Sequence, residues 1–476
     1  MSLDPIRRQA IISFGNIIGL TVLGYLATMY FAHVLGPAVL GSYYLFLSYY
    51  SIFSLVGDGG FGGAAAKRIS EGRDENAFFS AFIVLRIILL ALSVTILIAI
   101  TPFLVDFTST GLLPWLVLAL LIGTIAGFIS TGVYGSGKVG VSQTSEFLNN
   151  TVRIIVQIIA TYLGYAAAGL AGGFVAGILA GILINFHYLP LRLARFGFSH
   201  LKSLFSFSFW IFLTSGGFVV FSTADTILIG YFLSNADVGI YRIGYQLSSV
   251  ALFTCLALNT VLFPTMSRWA AEGNLSGVSS TLSRAFSFSL LLAVPVIVGG
   301  LLLSDRLLYF LYGSAFVPGT TAFIILLFVQ LAIAGVMLQT TCLNALDFPK
   351  QSFIATGIAA LLNIVLNITL IPVYGIAGAA FATLLSIGLN AVIVFRFLSR
   401  HIPVRLERWP VVSIVVSGFV MGGVVLVFRL ITGIPSLLSL IFAVLLGAAV
   451  YFLILFRLDR SLRNELGDLL RTFGIV

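Results

Sequence analysis

Apolar runs recur along this chain from one end to the other, and each is of the roughly 20 residues that a helix needs to cross a hydrocarbon core about 30 Å thick. Hydrophobic residues fill 59% of 476 positions and charged residues only 9%. No water-soluble domain of that size hides so much apolar surface, so the bilayer is the solvent. The first run, from 10 to 32, follows Arg7 and Arg8 as a signal peptide would, yet exceeds the roughly 7–15 residues of such an apolar region. It reads as a retained first helix. Cys255 and Cys342 both fall inside expected spans, which points to neither a disulfide framework nor a metal site.

Taking apolar runs bounded by charges, Gly and Pro, we expect an all-α polytopic membrane protein of about 14 transmembrane helices. The first six lie near 10–32, 39–60, 77–101, 112–134, 147–166 and 169–191. A second six lie near 204–231, 239–264, 285–308, 319–345, 351–372 and 376–398, and two more near 409–430 and 436–457. Most prolines fall at expected ends or in loops; Pro295 lies mid-helix, where a kink is expected.

Orientation follows from the basic residues. With the N-terminus cytoplasmic, the inner loops collect most of the 25 Lys and Arg, the outer side holds Arg242, Arg306 and Arg429, and Arg86 and Arg153 fall within helices. That bias predicts a multi-pass protein of the cell membrane with both termini cytoplasmic. The net charge of +9 is thereby a matter of topology, and nothing in it calls for nucleic acid, which would need a clustered basic face.

The first six helices resemble the second six. Leu35 through Gly41-Ser42-Tyr43 matches Leu233 through Gly239-Ile240-Tyr241, and Arg68 with Glu71-Gly72 recurs as Arg268 with Glu272-Gly273. Further along, Tyr165 with Ala168-Gly169 corresponds to Tyr374 with Ala377-Gly378. Matches in the same order argue for duplication of a six-helix unit. We therefore expect an N-lobe over 1–200, a C-lobe over 201–404, and helices 13 and 14 with a cytoplasmic tail over 405–476. Transporters of this plan hold substrate between lobes and work by alternating access.

Several motifs carry a resemblance to a family. Leu35-Gly36-Pro37, Gly41-Ser42-Tyr43, Asp58-Gly59-Gly60-Phe61-Gly62 and Lys67-Arg68-Ile69 stand in the first lobe. Gly239-Ile240-Tyr241, Phe263-Pro264, Leu362-Asn363-Ile364-Val365-Leu366-Asn367, Ile371-Pro372 and Tyr374-Gly375-Ile376-Ala377-Gly378-Ala379-Ala380 stand in the second. Together they resemble prokaryotic polysaccharide exporters and O-antigen flippases of the multidrug/oligosaccharidyl-lipid/polysaccharide exporter superfamily. The resemblance implies two six-helix lobes with helices 13 and 14 appended. It also implies translocation of a polyprenyl-(pyro)phosphate-linked oligosaccharide across the cytoplasmic membrane for cell-surface glycan assembly, with membrane lipids and other polysaccharide-assembly proteins as partners.

Such cargo joins an anionic head, a hydroxyl-rich glycan and an apolar tail. Arg86 and Arg153 both lie in the cytoplasmic part of their helices. Guanidinium pairs bidentately with phosphate, and an unpaired Arg in hydrocarbon costs at least ~2.5 kcal/mol. Both are candidate headgroup ligands. Alternatively, Arg153 reaches back to the lipid headgroups and Arg86 pairs with a carbonyl or with Asp58. Asn16 and Asn363 are candidates for sugar hydroxyls, although amides in membranes more often join helices. Asp225, in helix 7, either takes H⁺ or Na⁺ and couples transport to a gradient or pairs with Arg242. Asp58 ends helix 2, where the dipole disfavours an anion. A partner such as Lys67 or Arg68 is expected, as a structural or gating ion pair.

The small-residue ladder Gly173, Gly177, Gly181 reads as close helix packing. The tail from Arg457 to Phe473 has the spacing of an amphipathic helix on the cytoplasmic leaflet. A cation-coupled multidrug exporter of the related branch is the competing function, against which the basic balance of the interior counts. A membrane-embedded glycan polymerase or ligase would need a long outer loop with catalytic groups, and no nucleophile, acid/base pair, metal cluster or phosphate loop stands out. No enzymatic activity and no cofactor are expected.

Overall fold

The computed structural model describes residues 5–104, 107, 109–404 and 407–459, without the side chains at 5–18, 210, 213–215, 218, 260 and 261. Among the described residues it is all-helical. The helices are α1 (Pro5–Asp58), α2 (Phe61–Ser70), α3 (Glu75–Ile100), α4 (Leu113–Gly135), α5 (Val139–Tyr162), α6 (Ala166–Tyr188) and α7 (Phe198–Phe232), then α8 (Asn235–Ser248), α9 (Phe253–Ala271), α10 (Leu275–Tyr312), α11 (Thr320–Ala345), α12 (Pro349–Leu398), α13 (Arg408–Thr432) and α14 (Leu437–Leu458).

Among the described residues, ten helical stretches are long and apolar enough to cross a membrane. Two of them, α1 and α12, each join two expected spans. Their breaks fall at Gly36 (φ 74°) and Gly375 (φ 59°), beside Pro37 and near Pro372. Glycine adopts positive φ without the steric cost a side chain brings, so a single residue does the work of the loop expected there. Helices α8 and α9 follow one another through a short 3₁₀ turn and make one crossing. Counting α1 and α12 as two crossings each, and adding α5 and α7, recovers the 14 expected spans.

Helix α5 begins at Val139 rather than near 147, and polar residues such as Gln143, Glu146, Asn150 and Arg153 keep it below the composition of an ordinary crossing helix. Glu146 is thereby a helical residue and not part of a loop.

Contacts sort the chain into two compact units, Met1–Gly239 and Ile240–Val476. In the first unit the glycine ladder of α6 lets α5 approach to backbone distance. A Cβ at position 177 would lie 2.6 Å from the backbone and side-chain oxygens of Asn149 and 2.9 Å from Cβ of Arg153. Buried polar groups then stitch the pair. Ser145 Oγ donates to the Gly181 carbonyl at 2.8 Å and accepts from Asn185 Nδ2 at 2.8 Å. Gln157 Nε2 donates to the Tyr43 hydroxyl and to the Leu170 carbonyl, both at 2.8 Å. Gly177→Val is expected to destabilise the protein by about 1–3 kcal/mol through overpacking. Thermal unfolding in detergent checks it, and an unchanged midpoint would contradict the close approach.

The two glycines that the repeat makes equivalent, Gly41 and Gly239, also touch. A Cβ on Gly41 would overlap the Asn235 carbonyl, and one on Gly239 would overlap the Pro37 carbonyl.

In the second unit α13 and α14 pack on α10 through Leu291, Leu303, Ile414, Met421 and Tyr451. The Tyr451 hydroxyl donates to the Leu291 carbonyl at 2.8 Å, and Arg429 pairs with Asp305 at 3.1 Å. Cys255 and Cys342 lie buried in a separate core as free thiols. The amphipathic tail expected over 457–473 falls, beyond its first residues, outside the described part of the chain.

Candidate functional site

The turn Asp58-Gly59-Gly60-Phe61-Gly62 is shaped to present a carboxylate. Gly59 and Gly60 take φ of 57° and 78°, which ends α1 and starts α2 without a loop. Gly60 lies against the α7 backbone, where a Cβ would come within 2.7 Å of the Phe212 nitrogen. At Gly62 a Cβ would stand 2.8 Å from Asp58 Oδ1, and its own N–H donates to Oδ2 at 3.3 Å. The unfavourable end of α1 is thus offset by the first turn of α2.

The cation facing that carboxylate is Arg86 of α3. Its Nη1 lies 3.2 Å from Asp58 Oδ1, with the Arg86 side chain 8% exposed and that of Asp58 26%. Of the readings open for Arg86, pairing with Asp58 is the observed one. Asp58 correspondingly does not pair with Lys67 or Arg68. Lys67 Nζ sits 4.1 Å over the Phe207 ring, and Arg68 pairs with Glu71 at 3.0 Å. The reason is tertiary: α3 is fastened to α1 by the Ser93 hydroxyl, which donates to the Phe53 carbonyl at 2.7 Å, and this carries Arg86 to the end of α1.

Around the pair the packing is specific to a guanidinium. Its Cζ stands 5.7 Å from the Phe82 ring centre and 5.8 Å from that of Phe128, distances at which ring faces attract a cation. Gly127 leaves the room it occupies. Tyr50, hydrogen-bonded to Ser54, is in electrostatic contact with Arg86. Arg86 Nε is buried without a hydrogen-bond partner.

From Tyr50 a row of rings runs to the other arginine. Tyr50 meets Phe174 at 4.9 Å, Phe174 meets Phe46 at 5.6 Å, and Phe46 stacks with Tyr43 at 6.1 Å. Tyr43 lies in the field of Arg153. Arg153 is half-buried on α5, and among the described residues its guanidinium has no carboxylate partner. Of the two arginines expected within helices of this unit, Arg86 is therefore neutralised and Arg153 open among the described residues, and aromatic side chains join them. An open guanidinium at the edge of an aromatic wall can take a phosphate.

The other candidates fall elsewhere. Asp225 is buried in α7 at 7% exposure. Asn363 is buried at 1%, donates to Thr383 Oγ1 at 3.2 Å and accepts from Asn367 Nδ2 at 3.0 Å. Its amide thus joins the two parts of α12. Asn16 lies on α1 at a position whose side chain is outside those described. Tyr43, Tyr50 and Gly127 were not singled out in the sequence; Tyr43 stood inside the repeated Gly41-Ser42-Tyr43 motif, whereas nothing local marks the other two.

Comparison with known proteins places these features in a family context. The model of a family described as polysaccharide biosynthesis protein matches residues 6–270, and the MatE model matches 211–369. The probable low-salt glycan biosynthesis flippase Agl15 of Haloferax volcanii is 27% identical over 94% of this chain and 95% of its own length. The probable flippase AglR of the same organism is 28% identical over 98% of each. Among solved structures, the lipid II flippase MurJ in an inward closed conformation superposes with a TM-score of 0.79 at 17% identity, covering 95% of this chain and 99% of that one. An inward-facing multidrug MATE transporter gives 0.65 at 15% identity, covering 80% and 94%. These likenesses show the fold.

Proposed function

The chain belongs to the polysaccharide biosynthesis protein family, and from that premise we propose that it is a flippase that carries a polyprenyl-(pyro)phosphate-linked oligosaccharide across the cell membrane for surface glycan assembly, by alternating access. It is a transporter and not an enzyme. The two full-length relatives named as flippases support the substrate class. The single observation that carries the reading on this chain is Arg153: a half-buried guanidinium on a membrane helix, uncommitted to any described carboxylate, suits an anionic headgroup. Arg86, held by Asp58, acts in this reading as the fixed end of the site.

Cells lacking the protein test the proposal. Lipid-linked oligosaccharide is expected to accumulate on the cytoplasmic leaflet; unchanged leaflet distribution would count against it. The multidrug alternative has less support, since the MatE match covers only 211–369 and the MATE likeness is the lower of the two.

The positive-inside bias supports placing both termini in the cytoplasm. For coupling we nominate Asp225, an acid buried within α7, because acids inside membrane helices mark places where H⁺ or Na⁺ is exchanged. Asp225→Asn is expected to move substrate at a rate independent of an imposed gradient. A variant that keeps the wild-type gradient response would remove Asp225 from that role.

A further inference from the structure

Helix α5 packs along α6 through much of its length, yet too many of its residues are polar for an ordinary crossing helix. Its charged and amide side chains, together with Ser145, divide into two groups. Ser145 and Gln157 are consumed by hydrogen bonds at the α6 contact, and Asn149 packs there against Gly177. The others, Gln143, Glu146, Asn150 and Arg153, recur at spacings of three and four and so share one stripe, at whose far end Arg153 sets its Cβ beside Gly177. Gln143 and Glu146 are exposed, and Asn150 and Arg153 are half-buried. At 1.5 Å per residue, Glu146 and Arg153 stand roughly 10 Å apart along the axis.

Among the described residues Glu146 has no ion pair, and Asn150 Nδ2 donates to the backbone carbonyl of Glu146 at 3.0 Å, which leaves the carboxylate uncommitted. An exposed, unpaired acid on a helix of a membrane protein is costly where it faces lipid and belongs on a surface that water reaches.

The geometry points to this stripe as a glycan-recognition surface, with Arg153 taking the phosphate and Asn150, Glu146 and Gln143 taking sugar hydroxyls in that order toward the cytoplasmic end. The inference rests on the flippase reading. A carboxylate accepts from two hydroxyls and each amide both donates and accepts, so the set suits a neutral, hydroxyl-rich glycan. A uronate beside Glu146 would meet like charge.

The test uses single cysteines, Gln143→Cys, Glu146→Cys and Asn150→Cys, in the full chain, in inverted membrane vesicles treated with a membrane-impermeant maleimide. Native Cys255 and Cys342 are buried and give little background. All three positions are expected to label. A polyprenyl pyrophosphate carrying a neutral trisaccharide is expected to slow labelling at least about fivefold, and sugar-free polyprenyl pyrophosphate less than about twofold, the difference a few hydrogen bonds supply. Absence of labelling, or equal protection by the two lipids, would overturn the stripe. Failure of the flippase reading is seen separately, as wild-type protein that moves neither lipid.

Discussion

Asp58→Ala is expected to cost about 3–5 kcal/mol of stability, because it strands the Arg86 guanidinium in the protein interior without a counter-charge. Arg86 stands mostly out of water: its side chain is 8% exposed, the rings of Phe82 and Phe128 flank it, and it fills the room that Gly127 leaves. The reverse change should be milder. Arg86→Met leaves Asp58 with 26% exposure and with the Gly62 N–H still donating to it, so part of its charge stays satisfied. Removing both charges together, in Asp58→Asn with Arg86→Met, should recover most of the loss, since an apolar replacement of a buried pair is often near neutral. Denaturant or thermal unfolding of the four proteins in one detergent measures this. Equal stability of Asp58→Ala and wild type would mean that the pair contributes nothing to the fold.

Arg153→Ala should do the opposite: leave stability near wild type and reduce movement of a lipid-linked glycan by about 10- to 100-fold. The size follows from losing charge-assisted hydrogen bonds of about 1.5–3 kcal/mol, at tenfold per 1.4 kcal/mol. No described carboxylate is left unpaired by the change, and alanine keeps the Cβ that lies beside Gly177. Arg153→Lys should retain only part of the activity, because an ammonium offers a point charge where a guanidinium offers a planar fork. Transport at wild-type rates in Arg153→Ala would remove this residue from the headgroup site.

The crossings were legible in the sequence because lipid imposes a length and a composition on them. The glycine ladder of α6 was legible for the same reason: spacing alone tells which face is narrow. Four features were hidden in whole or in part. The start of α5 at Val139 was hidden because Gln143 and Glu146 look like loop residues, and only their position on a helix gives them meaning. The partner of Asp58 was left open between Lys67 or Arg68 and the alternative of Arg86, because tertiary contact decides it: Lys67 and Arg68 are turned to Phe207 and Glu71. The aromatic row from Tyr50 to Tyr43 was lost among 42 Phe and 17 Tyr, most of which a membrane protein spends on lipid. The breaks at Gly36 and Gly375 fell where loops were expected, but one residue long, which composition does not reveal.

Reconstitution tests the central claim most directly. Purified protein in liposomes is given a fluorescent polyprenyl-pyrophosphate oligosaccharide in one set and a cationic dye in another, with Arg153→Ala measured alongside. The account predicts that wild type moves the lipid between leaflets, that Arg153→Ala does so about 10- to 100-fold more slowly, and that neither accumulates dye. Dye transport without lipid movement would contradict it and place the chain's activity with the multidrug transporters.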